Sequence, residues 1–237
     1  EGDIACLLTE PALTNIGIVL PEPGYLEGVR EITRRWGVLL VNDETHTICA
    51  GPGEATAAWD LEPDFVVIGK PIGGGIPVAA YGMTADVAAR LTPPMLGHDI
   101  DVAGVGGTLS GSALAMAAVR ATLSTALRAA DFEVAIDLAE QFTAGVQSVI
   151  DTHRLPWHVQ RLGCRAEYWF CPPPRTGAEA AAAVDEELDA FMHLWALNRG
   201  VLLAPFHNMS LFSPAHTVAD VDAHTSAFRS AVEALLA

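Results

Sequence analysis

The sequence predicts an α/β fold: a mostly parallel sheet with helices, followed by a small α+β unit. Three observations carry this. The first 130 residues alternate short apolar runs with Gly/Pro punctuation and helix-length segments. Their strands read as unbroken apolar runs, the pattern of strands buried on both faces in a parallel sheet. After residue 130 the texture changes to paired strands and longer helices, which places a large-domain portion at 1–130 and a small C-terminal domain at 131–237.

In order along the chain, IACLLTEP (4–11) reads as a strand and GYLEGVREITRRWG (24–37) as an amphipathic helix closed by Gly37. VLLVNDET (38–45), FVVIGK (65–70) and VAAYGMT (78–84) read as further strands, joined by right-handed crossovers where parallel. Residues 112–130 and 132–153 read as helices, and 158–171 as paired strands. CPPPRTG (171–177) is a surface loop and 183–200 a helix ended by Gly200, while 201–213 resembles a strand and loop. The last helix opens at a Thr217 cap, with Asp220 and Asp222 in its first turn.

Composition narrows the function. The 237 residues carry 13 Lys plus Arg against 29 Asp plus Glu, a net charge of −16, which argues against nucleic-acid or anionic-membrane partners. With 51% hydrophobic and 18% charged residues the chain has the makings of a core, and every apolar stretch is interrupted before membrane-spanning length. The four cysteines form no CxxC pair; their scatter favours reduced thiols and a cytoplasmic setting.

Lys70 is the only lysine; the other twelve basic residues are arginines. A chain that uses arginine everywhere else and keeps one lysine has a place where arginine will not serve. That place is the end of an apolar strand, before GKPIGGGIP, where an amine beside apolar walls becomes a nucleophile toward carbonyls. The bland alternative is a solvated lysine at a strand end. Asp43 follows VLLVN and also falls at a strand's carboxyl end, where open α/β sheets bind ligands. A carboxylate there suits a pyridinium nitrogen; otherwise it is a cap or an ion-pair partner. GVGGTLSG (104–111) fails the GxGxxG pattern at Leu109, but it runs into a helix, so Thr108 and nearby N–H groups suit a phosphate. His46 is expected to share the Asp43 pocket, and Phe206, His207 and Asn208 to line a substrate mouth. Neither metal spacing nor a GxSxG motif is present, and Cys49 has no evident base.

Together LLVNDETHT, PDFVVIGKPIGGGIPVAAYG and GGTLSGSALAMAA resemble the class III aminotransferases, pyridoxal-phosphate enzymes of fold type I. The order and spacing of all three match, and the resemblance covers nearly the whole chain. GVLLAPFHNMSLFSPAHTVADVD looks closest to the glutamate-1-semialdehyde aminomutase branch. The resemblance implies that Lys70 forms the imine with the cofactor and later carries the proton, and that Asp43 bonds the pyridine nitrogen. It implies that Thr45 packs on the ring, that His46 stands where a residue reaches the phenolic oxygen, and that Thr108 reaches the phosphate of a dimer mate's cofactor. Glu10 matches an acidic family position. Two departures follow. No arginine lies between Arg199 and Arg229, where many relatives grip a substrate carboxylate. The family's N-terminal half, with its phosphate loop and stacking aromatic, has no counterpart here.

The expected function is therefore ping-pong amino transfer between a small-molecule amino donor and a carbonyl acceptor. An aminomutase, or a non-catalytic subunit of a split enzyme, is the alternative. The chain is expected to hold part of a site, completed by an N-terminal fragment or companion chain within a homodimer or higher oligomer.

Overall fold

The structure, a computed structural model, describes residues 2–91, 109–204 and 206–237. It contains two sheets. In the first, the strands β1 (Cys6–Thr9), β2 (Leu39–Asp43), β3 (Phe65–Ile68) and β4 (Ala80–Met83) lie in the order β1-β2-β3-β4. The first two pairings are parallel and β3–β4 is antiparallel, so the sheet is mostly parallel with an antiparallel edge. Helix α1 (Tyr25–Trp36) makes the first crossover. Gly37 ends it in the left-handed conformation, φ 66°, and Arg34 and Arg35 sit where the carbonyl end of the helix dipole favours cations. Arg30 holds Asp64 through two bonds of 2.7 and 3.1 Å, and Asp64 also accepts from the Leu40 N–H, so one carboxylate ties α1 to the sheet. The second crossover contains a 3-10 turn at Thr47–Ala50 and the short α2 (Glu54–Ala58). Glu44, 0% exposed, organises it by accepting from the Ala55 and Thr56 N–H groups and from the Thr47 and Thr56 hydroxyls.

Past β4 and the short α3 (Ala85–Ala88) come α4 (Ala113–Thr125) and α5 (Ala129–His153). The predicted helix over 112–130 breaks early. Ser124 and Thr125 bond back to the carbonyls of Arg120 and Ala121, which weakens a helix end. Arg128 then meets Asp131 through its N–H and its guanidinium, starting a new helix after a three-residue gap.

The second sheet is antiparallel throughout, in the order β5 (His158–Leu162), β6 (Arg165–Trp169), then, after α6 (Gly177–Ala182) and α7 (Glu186–Leu197), β7 (Met209–Leu211). The strand of the 201–213 stretch is thus Met209–Leu211, set by pairing with β6, while Val201–Ala204 is irregular. Helix α6 was not foreseen; the Thr176 hydroxyl caps it. Helix α8 (Val218–Leu236) begins at the Thr217–Asp220 capping box that the sequence signals. The main core lies between this sheet, α5 and α8. Phe142, Val146, Val149, Tyr168, Phe228 and Val232 are all buried there, and the Tyr168 and Phe228 rings lie 4.8 Å apart.

One histidine is enclosed in that core. The His224 ring lies 4.4 Å from Phe142, its Nδ1 has no partner among the described residues, and burial pushes its pKa down to about 4. Above the ordinary value near 6.5 both folded and unfolded chains hold it neutral. As pH falls from there toward about 4, only the unfolded chain gains the proton. We expect about 3 kcal/mol of stability to be lost across that window. Urea midpoints taken down through the window should fall for the natural protein and stay flatter for His224→Phe; equal slopes would show that His224 is not the source.

Candidate active site

Asp43 pairs in register with Val67 of the neighbouring parallel strand, so Asp43 and Lys70 leave the sheet at the same carboxyl edge. Lys70 lies two residues beyond β3, at φ 48°. It precedes Pro71, which disfavours the right-handed helical conformation at that residue. Its side chain is exposed and its Nζ makes no hydrogen bond or ion pair among the described residues. One oxygen of Asp43 accepts from both the N–H (3.0 Å) and the hydroxyl of Thr45, leaving the other oxygen without a partner among the described residues.

His46 is held from behind. Its Nδ1 lies 2.7 Å from the Thr14 hydroxyl, which donates to Glu10. A hydroxyl has one proton, so with that proton given to the Glu10 carboxylate the Nδ1 must donate to Thr14. This leaves Nε2 with its lone pair. Burial, then the positive charges of Lys70 and Arg165, hold His46 below its ordinary pKa and favour the neutral ring, against the opposing pull of Glu10 and Asp43.

These residues open on a cavity of about 570 Å³. Thr14, Thr45, His46 and Lys70 line it from the first sheet's side, and Arg165 and His207 from the second. Met209, Leu211 and Phe212 make much of the remaining wall apolar, and among the described residues no carboxylate lines it. Cys49 also borders the cavity, but burial pushes its thiol up to about 12, so it supplies no thiolate near neutral pH.

Of the residues singled out from sequence, Lys70, Thr45, His46 and His207 meet at this cavity, with Asp43 bonded directly behind Thr45. Phe206 does not line it; its side chain is 99% exposed. Asn208 is drawn away toward α7, donating to Asp189 (2.7 Å) and bonded to His193 (3.2 Å). Thr108 lies outside the described residues. Sequence reasoning missed Thr14 and Arg165. Arg165 did leave a signal: it stands two residues before Glu167 in a strand otherwise rich in apolar residues, and i, i+2 residues share a face. Thr14 left none, because it reaches the site through an irregular loop.

Among the described residues, a carboxylate oxygen and a lysine without partners at adjacent strand ends, beside a cavity with no acid in its lining, fit a bound pyridinium aldehyde: the oxygen for its ring nitrogen, the amine for its carbonyl. Fold and site together define a pyridoxal-phosphate enzyme of fold type I. Residues 1–233 match the family "Aminotransferase class-III". The chain belongs to the class III aminotransferases, and its cofactor is pyridoxal phosphate. It is 36% identical to glutamate-1-semialdehyde 2,1-aminomutase 1 of Bacillus cereus strain G9842, over 98% of this chain and 53% of that protein. Among solved structures it resembles a glutamate-1-semialdehyde aminomutase from Pseudomonas aeruginosa PAO1, with 45% identity and a TM-score of 0.92 over 99% of this chain and 53% of that one. A variant of that enzyme was solved in complex with PMP. An omega-transaminase from Sphaerobacter thermophilus is 28% identical with a TM-score of 0.82, over 96% of this chain and 51% of that one. The chain spans about half the length of these relatives. Among the described residues no helix is long and apolar enough to cross a membrane.

Proposed function

We propose that this chain is the lysine-bearing portion of an enzyme that moves an amino group with pyridoxal phosphate, passing it from a small-molecule donor to a carbonyl acceptor. The observation that carries the reading is Lys70, without a partner among the described residues, lining the cavity at the same sheet edge as Asp43, which keeps one oxygen without a partner among the described residues and is bonded directly behind the cavity-lining Thr45. When bound, the cofactor supplies a carbonyl for amine exchange and a ring that takes up an electron pair. Lys70 Nζ is the nucleophile, and it then takes a proton from the substrate carbon and returns it. Asp43, oriented by Thr45, holds the ring nitrogen protonated. His46 presents Nε2 as an acceptor near the ring oxygen, Thr45 packs on the ring, and Thr108 is assigned to the phosphate of a partner protomer.

The aminomutase reading keeps the same residues and differs in retaining the amino group within one substrate. The names of the relatives at 36% and 45% identity favour it. Supplying single substrates and assaying for a released keto product separates the two: an aminomutase releases none.

The remaining half of the fold, a dimer mate and a cytoplasmic setting belong to the same proposal. The sheet supports the first of these. Leu7 and Leu8 of β1 and Tyr81 of β4 are exposed, although a parallel sheet is ordinarily covered on both faces. Another segment or chain of the enzyme is the natural cover.

Borohydride reduction of the whole protein with pyridoxal phosphate, followed by peptide mass mapping, tests the reading. Because Lys70 is the only lysine in this chain, a pyridoxyl-phosphate mass on a peptide of this chain has one lysine on which to fall. Its absence with cofactor and any companion chain present would leave a structural subunit in place of a catalytic one.

A further inference from the structure

We infer that His207, held by Glu167, is a second proton acceptor of this site, and that it takes the proton from the ammonium of the incoming amine. The inference rests on the amino-transfer reading above and adds a step to it. An amine attacks a carbonyl as the free base, whereas an aliphatic amine near neutral pH is almost wholly ammonium. A group on the cavity wall has to remove that proton, and Lys70 is already engaged with the cofactor when the amine arrives.

His207 has the geometry of such a base. Its Nδ1 lies 2.9 Å from one oxygen of Glu167, whose other oxygen accepts from Arg165 at 2.8 Å. A carboxylate paired with a guanidinium accepts at both oxygens, so Nδ1 carries the proton of the neutral ring and Nε2 keeps its lone pair. Glu167, 4% exposed, fixes that tautomer from behind, while His207 borders the Lys70 cavity. Nε2 makes no hydrogen bond among the described residues. The backbone is bent to hold this arrangement. Phe206 stands at φ 72°, a left-handed conformation costly to an aromatic residue, with its own side chain 99% exposed. Phe206 gains no burial from that strain; the residue it turns inward is His207.

The other groups on the wall are unsuited. Burial pushes the Cys49 and Cys164 thiols up to about 12 and about 11, Arg165 stays protonated, and His46 has its Nε2 assigned to the ring oxygen. Among the described residues no carboxylate lines the cavity. The charged and titratable groups around His207 are Glu167 and Arg165 from β6, Asp185 and Asp189 at the start of α7, and Lys70 with His46 across the cavity. In the step, one N–H bond of the ammonium breaks and one forms on Nε2, while Nδ1 keeps its proton and Glu167 its charge. His207 then returns the proton to the amine that leaves, so none accumulates over a turnover.

Two amines of opposite charge state test this on the full-length holoenzyme. Near neutral pH n-butylamine is almost wholly ammonium and 2,2,2-trifluoroethylamine almost wholly uncharged, and cofactor absorbance after rapid mixing reports the displacement of Lys70 by either. His207→Gln keeps a donor for Glu167 but has no base, so it should slow butylamine about 10²-fold and leave trifluoroethylamine nearly unchanged. Equal slowing of both amines, unchanged butylamine, or no displacement by either in the natural protein would each overturn the assignment. Should His207→Gln fail to fold, Glu167→Gln decides: it releases the tautomer and should slow butylamine alone, by about tenfold. A readout without cofactor stands beside these. In the cofactor-free full-length protein, long-range ¹⁵N–¹H spectra of neutral His207 should show the proton on Nδ1, and a proton on Nε2 refutes the pair. The two readings fail separately. Absence of a Lys70 adduct defeats amino transfer, whereas an adduct with equal slowing of the two amines defeats the His207 assignment alone.

Discussion

Lys70→Ala in the full-length enzyme is expected to cut turnover by about 10⁴-fold or more, since it removes both the nucleophile and the proton carrier. Stability should barely change. The lysine is exposed, its amine holds no ion pair among the described residues, and alanine meets the same left-handed backbone cost at φ 48° that lysine does. Pyridoxal phosphate should still bind through Asp43 and the rest of the site, but without the covalent adduct on this chain. Added small primary amines should restore part of the activity, which a merely structural lysine would not allow. Steady-state rates, unfolding midpoints and amine rescue measured together check the claim. Retention of more than a few per cent of turnover would remove Lys70 from the chemistry.

Gly163→Ala is expected to be highly damaging to the joint between the sheets. Gly163 turns the β5–β6 hairpin at φ 54°, where an added Cβ would lie 2.0 Å from the Cys49 carbonyl oxygen and 2.5 Å from Ala50 Cα. Those atoms are backbone, so no rotamer change relieves the clash. The same turn donates the Cys164 N–H to the Cys49 carbonyl at 2.9 Å. The hairpin must therefore lift from the 3-10 turn that begins just after His46, and Arg165 must lift with it. We expect a loss of about 3–5 kcal/mol, combining overpacking with left-handed strain. Gly37→Ala is the control. Gly37 is also left-handed, at φ 66°, but nothing lies within 4 Å of its added Cβ, so it should cost only about 1 kcal/mol. Similar denaturant midpoints for the two variants would show that the hairpin contact is dispensable.

The elements were legible where local pattern decides them. Apolar runs marked the four strands of the first sheet, Gly37 marked a helix end, and Thr217 with Asp220 marked a helix start. The break between α4 and α5 was harder to read. It depends on an Arg128–Asp131 pair and on hydroxyls bonding backward, against a composition that favours one continuous helix. The 201–213 strand was displaced because pairing with β6, and not the apolar run VLLA, selects Met209–Leu211.

By itself the sequence determined the fold class, the family, and the placing of Asp43 and Lys70 at strand ends. Strand periodicity and the residue that follows each strand are properties of a short window, and parallel neighbours bring such ends to one edge. Only the tertiary structure decided who else stands there. Thr14 and Arg165 touch across 151 residues of chain, His207 enters the cavity while its neighbours Phe206 and Asn208 turn away, and Glu10 reaches His46 through a threonine. Those meetings depend on how the second sheet docks on the first, which rests on a glycine-sized gap at residue 163 and on buried hydrogen bonds. No short-range pattern encodes a contact between segments that only packing brings together.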